Sequence, residues 1–184
     1  DITDLPPEAR VKRGLGRTFQ INQLFKGLSV LENVALAVAE RDGVGGNMFG
    51  AARARRAVAE EAYALLERLR IADDALKPVR ELPYGRQRLV EIAIALGLNP
   101  KVLLLDEPAA GVPSTESAII LEMIAGLPPD IAVLIIEHDM DLVFRFARRI
   151  TVLVQGAVLV EGTPGEIAAD TRVREVYLGE RSHV

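Results

Sequence analysis

The spacing of apolar positions changes character near residue 100. Upstream it follows the helical period. "SVLENVALAVAE", from Ser29, puts Leu31, Val34 and Val38 on one face, with Ser29 as cap and Glu32 completing a capping box. "RARRAVAEEAYALLERLRI" lines up Val58, Ala62, Leu65 and Leu69, and its arginines make a solvated face. A third helix buries Leu89, Ile92, Ala93 and Leu96 and is ended by Asn99-Pro100. Downstream, "KVLLLD", "IAVLIIE" and "RITVLV" are short continuous apolar runs, which predict strands buried on both faces. Helical stretches separate them: "STESAIILEMIAG", capped by Ser114 or Thr115, and "DMDLVFRFARR", capped by Asp139. Strand–helix alternation predicts right-handed crossovers and a mostly parallel sheet. "TVLVQGAVLVEG" reads as a hairpin turning at Gln155-Gly156. "TPGEIAAD" carries a capping box, Thr163 to Glu166, with Pro164 at the first helical position. Residues 1 to 10 read as a leading loop in which Pro6-Pro7 blocks a helix, and "RTFQINQLF" as a short strand running into a loop.

Composition narrows the class. Hydrophobic residues make up 49% of the 184 and aromatics 4%, so the core is built from aliphatic side chains. A net charge of −4 argues against a broad nucleic-acid-binding face. The absence of cysteine excludes disulfides and thiolate metal sites. No apolar run approaches the length of a membrane span.

The residues that invite chemistry sit at predicted strand ends, where open parallel sheets gather ligands. Asp106 and Glu107 close "KVLLLD". Alternation along a strand aims adjacent side chains differently, so one acid can hold Mg²⁺ through hard oxygen contacts while the other polarises a water. The same pair also serves as a cap for the next element. "IIEHD" delivers His138 to a neighbouring strand end, either as a donor to a phosphate oxygen or as a surface histidine in a strand–helix loop. His183 has no assigned role. The glycines of "RDGVGGNMFG" lack a following Lys-Ser/Thr and read as a flexible connector.

In order, "RTFQ", "LPYGRQRLVEIAIAL", "KVLLLDEP" and "IIEHD" resemble the Q-loop, signature stretch, Walker B strand and switch histidine of the ATPase subunits of ABC transporters. "RTFQINQLFKGLSVLENVALA", "DEPAAGV", "IIEHDMDLV" and the tail "EGTPGEIAADTRVREVYLGE" are similar to the subgroup serving branched-chain amino acid uptake. The resemblance implies an α/β fold: part of a RecA-like P-loop NTPase core with a mostly parallel sheet, plus an α-helical subdomain. It implies a Q-loop region over 1–28, a helical subdomain with the signature over 29–99, and the C-terminal part of the ATPase core over 100–184. It implies ATP and Mg²⁺ as cofactors. Gln20 and Asp106 contact the metal, Glu107 polarises the attacking water and His138 contacts the γ-phosphate. Leu82, Pro83, Tyr84, Gly85 and Arg86 face nucleotide on a second ATPase subunit. The helical subdomain docks on transmembrane permease subunits, which places the protein peripherally on the cytoplasmic face of the inner membrane.

Three departures qualify that picture. The chain contains no G-x-x-x-x-G-K-[ST], the loop whose N–H groups and lysine hold phosphates. The chain is therefore expected to be the C-terminal portion of a nucleotide-binding domain, inactive alone and prone to self-association through an exposed sheet edge. In the signature, Pro83 stands where the family has serine, removing a hydroxyl and an N–H, and Arg86 replaces glutamine with a charge able to reach phosphate. Pro113 stands where the family has Asp or Asn. Together Pro83 and Pro113 predict a heterodimer with one weakened composite site. The alternatives are a non-catalytic remnant that binds a permease or partner ATPase, and a related ATPase acting on DNA; the acidic balance disfavours the last.

Overall fold

A computed structural model describes residues 1–18, 24–44, 52–112 and 114–178. They form two compact units, Asp1–Glu137 and His138–Val184.

The first unit opens with helix α1 (Pro7–Lys12) where a leading loop is expected. Pro7 takes the first helical position, where its missing N–H is no loss and its fixed φ suits the turn, so Pro6-Pro7 starts the helix instead of blocking one. Strand β1 (Leu15–Arg17) follows, earlier than "RTFQINQLF" suggests, and residues 19–23 of that stretch lie outside the described residues.

Helices α2 (Val30–Arg41), α3 (Ala52–Arg68) and α4 (Tyr84–Gly97) pack against one another. The Ser29–Glu32 capping box is formed. Val34, Val38, Val58, Ala62, Leu65, Leu69, Leu89, Ile92, Ala93 and Leu96 are buried as the periodicity requires, while Leu31 is only half-buried. Each fully buried aliphatic side chain contributes ~1.5–3 kcal/mol against exposure. The close approach of α2 and α4 depends on Gly97, where a Cβ would sit 3.3 Å from Val38 Cγ2. Asn99 ends α4 in the left-handed region, at φ 51°, with Pro100 behind it. Buried Asn33 holds the turn before α2: its side-chain oxygen accepts from Phe25 N–H at 3.0 Å, and its amide donates to Phe25 O at 3.1 Å and Ser29 O at 2.9 Å.

Strands β2 (Val102–Asp106) and β3 (Ala132–Ile136) complete a parallel sheet of order β1-β2-β3, with helix α5 (Ser114–Ala125) between β2 and β3 in sequence. Arg17 lies opposite Leu104, and Asp106 opposite Ile136. The side chains of Ser114 and Thr115, expected to cap α5, fall outside the described residues. One sheet face is core, with Leu103 and Leu105 buried. The other is not: Leu134 and Ile136 are each 58% exposed. The expectation of strands covered on both faces therefore fails for β3, which among the described residues is an edge strand with Leu134 and Ile136 on an exposed face.

The second unit contains helix α6 (Met140–Phe146), capped as expected by Asp139, whose carboxylate accepts from Asp141 and Leu142 N–H. Strands β4 (Ile150–Val154) and β5 (Ala157–Gly162) form an antiparallel hairpin turning at Gln155-Gly156, with φ of 49° and 80°. "RITVLV" also has one exposed face, with Thr151 and Leu153 turned out, and among the described residues it pairs with β5. Helix α7 (Pro164–Ala169) carries the Thr163–Glu166 capping box, and a short helix α8 (Thr171–Val173) follows. Ile150, Val152, Ile167 and Val173 make a small core of their own. Among the described residues, no helix is long and apolar enough to cross a membrane.

Candidate functional site

The carboxyl edge of the parallel sheet concentrates the acids. Asp106 is the last residue of β2 and shares its face with Leu104. Its side chain is 30% exposed, and an oxygen lies 3.7 Å from Arg17 Nη2. The chain then leaves the strand sharply, with Glu107 at φ 44°, in the left-handed region. That conformation costs about 1 kcal/mol or more for a residue with a Cβ. Glu107 N–H donates to Ile136 O at 2.9 Å, and its carbonyl accepts from Ala110 N–H at 3.0 Å. The break in the strand, more than its alternation, gives Asp106 and Glu107 separate settings.

The loop that follows is tied to β3 a second time. Glu137 Oε1 accepts from Ala109 N–H at 3.3 Å. The sequence reading gave Glu137 no role; the tie joins residues far apart in the chain, and only its position in "IIEHD" hints at it. Gly111, at φ 72°, lies against the ring of Tyr84: a Cβ there would be 3.3 Å from Tyr84 Cε1. Tyr84 thus connects the loop after the acids to the start of α4.

The 82–86 stretch forms that start. Leu82 is buried and Pro83 is the N-cap of α4, with no side-chain capping hydrogen bond. Tyr84 is 41% exposed, with the Arg88 guanidinium 5.3 Å from its ring centroid, and Gly85 is buried. Arg86 is 44% exposed and paired with buried Asp74, which also accepts from Lys77 Nζ at 2.7 Å. Burial pushes the Asp74 carboxyl up, but the hydrogen bonds from Lys77 and Arg86 outweigh it and hold the group below its ordinary value.

Asp106, Glu107, Glu137, Tyr84 and Gly111 therefore belong to one connected region of the first unit. His138 is exposed and opens the second unit. Gln20, Pro113 and His183 lie outside the described residues. Among the described residues, no group of three or more acids or histidines forms a ready cation cage. A single partly exposed carboxylate such as Asp106 suits a hard cation that keeps several waters and takes further oxygens from a phosphate ligand, as Mg²⁺ does.

Comparison with known proteins bears on what this edge does. A family model described as ABC transporter matches residues 1–110, and one described as branched-chain amino acid ATP-binding cassette transporter matches residues 157–183. The high-affinity branched-chain amino acid transport ATP-binding protein BraF of Pseudomonas aeruginosa is 36% identical over 189 residues, covering 98% of this chain and 73% of its own length. The corresponding protein LivG of Salmonella typhimurium is 38% identical over 186 residues, covering 97% of this chain and 73% of its own. The crystal structure of MJ1267, an ATP-binding cassette of an ABC transporter, in its ADP conformation superposes with a TM-score of 0.77 at 29% identity, over 97% of this chain and 74% of that one.

Proposed function

Because this chain belongs to the ATP-binding proteins of ABC transporters and has their α/β ATPase fold, we propose that it is the energy-coupling ATPase subunit of an importer for branched-chain amino acids. The observation that carries the catalytic part is the acid pair at the end of β2, with Glu107 turned out of the strand at φ 44°, its N–H tied to Ile136 O and the loop behind it braced by Glu137. The names of BraF and LivG and the match of the tail support the choice of solute.

Bound ATP with Mg²⁺ supplies the phosphoryl bond whose hydrolysis drives transport. Within this chain, Asp106 would hold the metal and Gln20 would add an oxygen to it. Glu107 would polarise the attacking water, with a backbone turned out of the strand at φ 44°. His138 would donate to a phosphate oxygen. Leu82, Pro83, Tyr84, Gly85 and Arg86 face nucleotide across a dimer, with Arg86 steadying the α4 N-terminus through Asp74. The helical subdomain over 29–99 meets the transmembrane permease subunits, which hold the protein at the cytoplasmic face of the membrane. The second ATPase subunit is a different chain, because Pro83 leaves α4 without a side-chain cap or a hydroxyl for a partner's phosphate.

The test is ATP hydrolysis by the assembled transporter. Glu107→Gln is expected to lower turnover by about a hundredfold or more while nucleotide binding persists. Unchanged turnover favours the second reading, a permease- or partner-binding subunit without hydrolysis, for which the uncapped Pro83 is the specific support. Pro83→Ser is expected to raise turnover; a fall counts against the weakened composite site.

A further inference from the structure

Helix α4 carries a buried ion pair that packing alone does not require. Arg88 and Glu91 are 3% and 9% exposed, and Arg88 Nη1 donates to Glu91 Oε2 at 2.8 Å. Taking two charges out of water can cost more than their attraction returns, and apolar side chains of similar volume often hold such positions as well or better. Leu89, Val90, Ile92 and Ala93 of the same helix are buried without that cost. What the pair supplies is a direction. Glu91 holds the guanidinium, whose central carbon lies 5.3 Å from the centroid of the Tyr84 ring, one turn towards the start of the helix. That ring lies against Gly111, where a Cβ would be 3.3 Å from Tyr84 Cε1. The loop carrying Gly111 closes back on the acid pair, since Ala110 N–H donates to Glu107 O at 3.0 Å. Contacts thus run from Glu91 through Arg88, Tyr84 and the 110–111 backbone to Glu107.

We propose that Arg88, held by Glu91, is a positioning residue: it fixes the Tyr84 ring and, through the loop at 110–111, the backbone from which Glu107 projects. The proposal rests on the reading of Glu107 as the residue that polarises the attacking water. Arginine suits this use, because its planar guanidinium keeps its charge and stacks on an aromatic face, which an ammonium group does less well. Loss of the pair shifts the carboxylate relative to the water, a change felt in the chemical step more than in nucleotide affinity.

The experiment pairs ATP hydrolysis by the assembled transporter with amide exchange at residues 109–112. Arg88→Met combined with Glu91→Leu removes both charges at similar volume and strands neither in the interior. It is expected to lower kcat about tenfold, to leave KM for ATP within about twofold, and to accelerate exchange at 109–112. In a Tyr84→Ala background the same pair of changes is expected to add nothing further to either readout, because the ring through which Arg88 acts is gone. Arg88→Lys keeps the charge facing Glu91 and is expected to show the faster exchange with the fold intact. Unchanged kcat, unchanged exchange, or a full additive loss in the Tyr84→Ala background overturns the proposal. If the pair variant does not fold, Arg88→Lys decides, and wild-type exchange there overturns it. Glu107→Gln, measured alongside, separates the two readings. Full turnover in that variant overturns the role of Glu107, whereas lost turnover there with wild-type kcat in the pair variant overturns the role of Arg88 alone.

Discussion

The ring of Tyr84 lies against the backbone of Gly111, with Cε1 3.3 Å from where a Cβ would stand. The first residue of α4 thereby supports the loop that follows the acid pair. Removing the ring by Tyr84→Ala is expected to loosen that loop, while Tyr84→Phe keeps the packing. Amide exchange at residues 109–112 checks this: it should accelerate in the alanine variant and stay unchanged in the phenylalanine variant. Gly111→Ala combines a left-handed φ of 72° with the contact, and is expected to cost about 1–3 kcal/mol in urea denaturation.

Glu107 makes a second case, in which stability and the role proposed for its carboxylate oppose each other. Its φ of 44° is tolerated by glycine without strain. Glu107→Gly is expected to hold or raise thermal stability, by up to about 1 kcal/mol, while abolishing hydrolysis in the assembled transporter. A marked drop in melting temperature would show that the carboxylate, and not the backbone, is what the fold depends on there.

Legibility in the sequence followed the range of the interaction. The capping boxes at Ser29 and Thr163 were readable because every partner lies within three residues. The stripes of α3 and α4 were readable because a helical period needs no knowledge of the neighbour. The exposed face of β3 was not, since an apolar run such as "AVLII" records hydrophobicity but not what covers it. Nor was the tie from Glu137 to Ala109, or the pairing of Arg86 with Asp74, because both depend on segments brought together only by folding. Pro7 misled for a local reason: the same ring that ends one helix begins another, and only the following residues decide which.

Asp74 predicts a pH dependence. Its carboxyl is held below its ordinary value in the folded chain, so the stability it provides is present above the unfolded carboxylate range and is lost as pH falls through the depressed folded value. Asp74→Asn is expected to cost about 1–3 kcal/mol at pH 7 and to flatten the stability profile below about pH 4. Chemical denaturation at several pH values checks both. An unchanged acid slope would remove Asp74 from the account.

The Thr163 cap offers a test confined to the second unit. Thr163→Ala removes the hydroxyl that accepts from Glu166 N–H, leaves the backbone N–H of residue 163 free to donate to the Glu166 carboxylate, and is expected to cost α7 about 1 kcal/mol. Amide exchange should rise around Ile167 while α2 and α4 keep wild-type protection. Equal acceleration in both units would mean that they open together.

The small core of Ile150, Val152, Ile167 and Val173 has an evolutionary consequence. The stretch matched by the branched-chain amino acid cassette model, residues 157–183, falls wholly within the second unit. That unit has a core of four aliphatic side chains and caps of its own, while the backbone of Glu107 bonds to Ile136 O and Ala110 N–H in the first. The outward positions of the hairpin, Leu153 and Val158 among them, are exposed and take no part in that small core. Such a tail is free to diverge at a rate of its own, and a signature of subgroup is expected to accumulate there before it appears beside the chemistry.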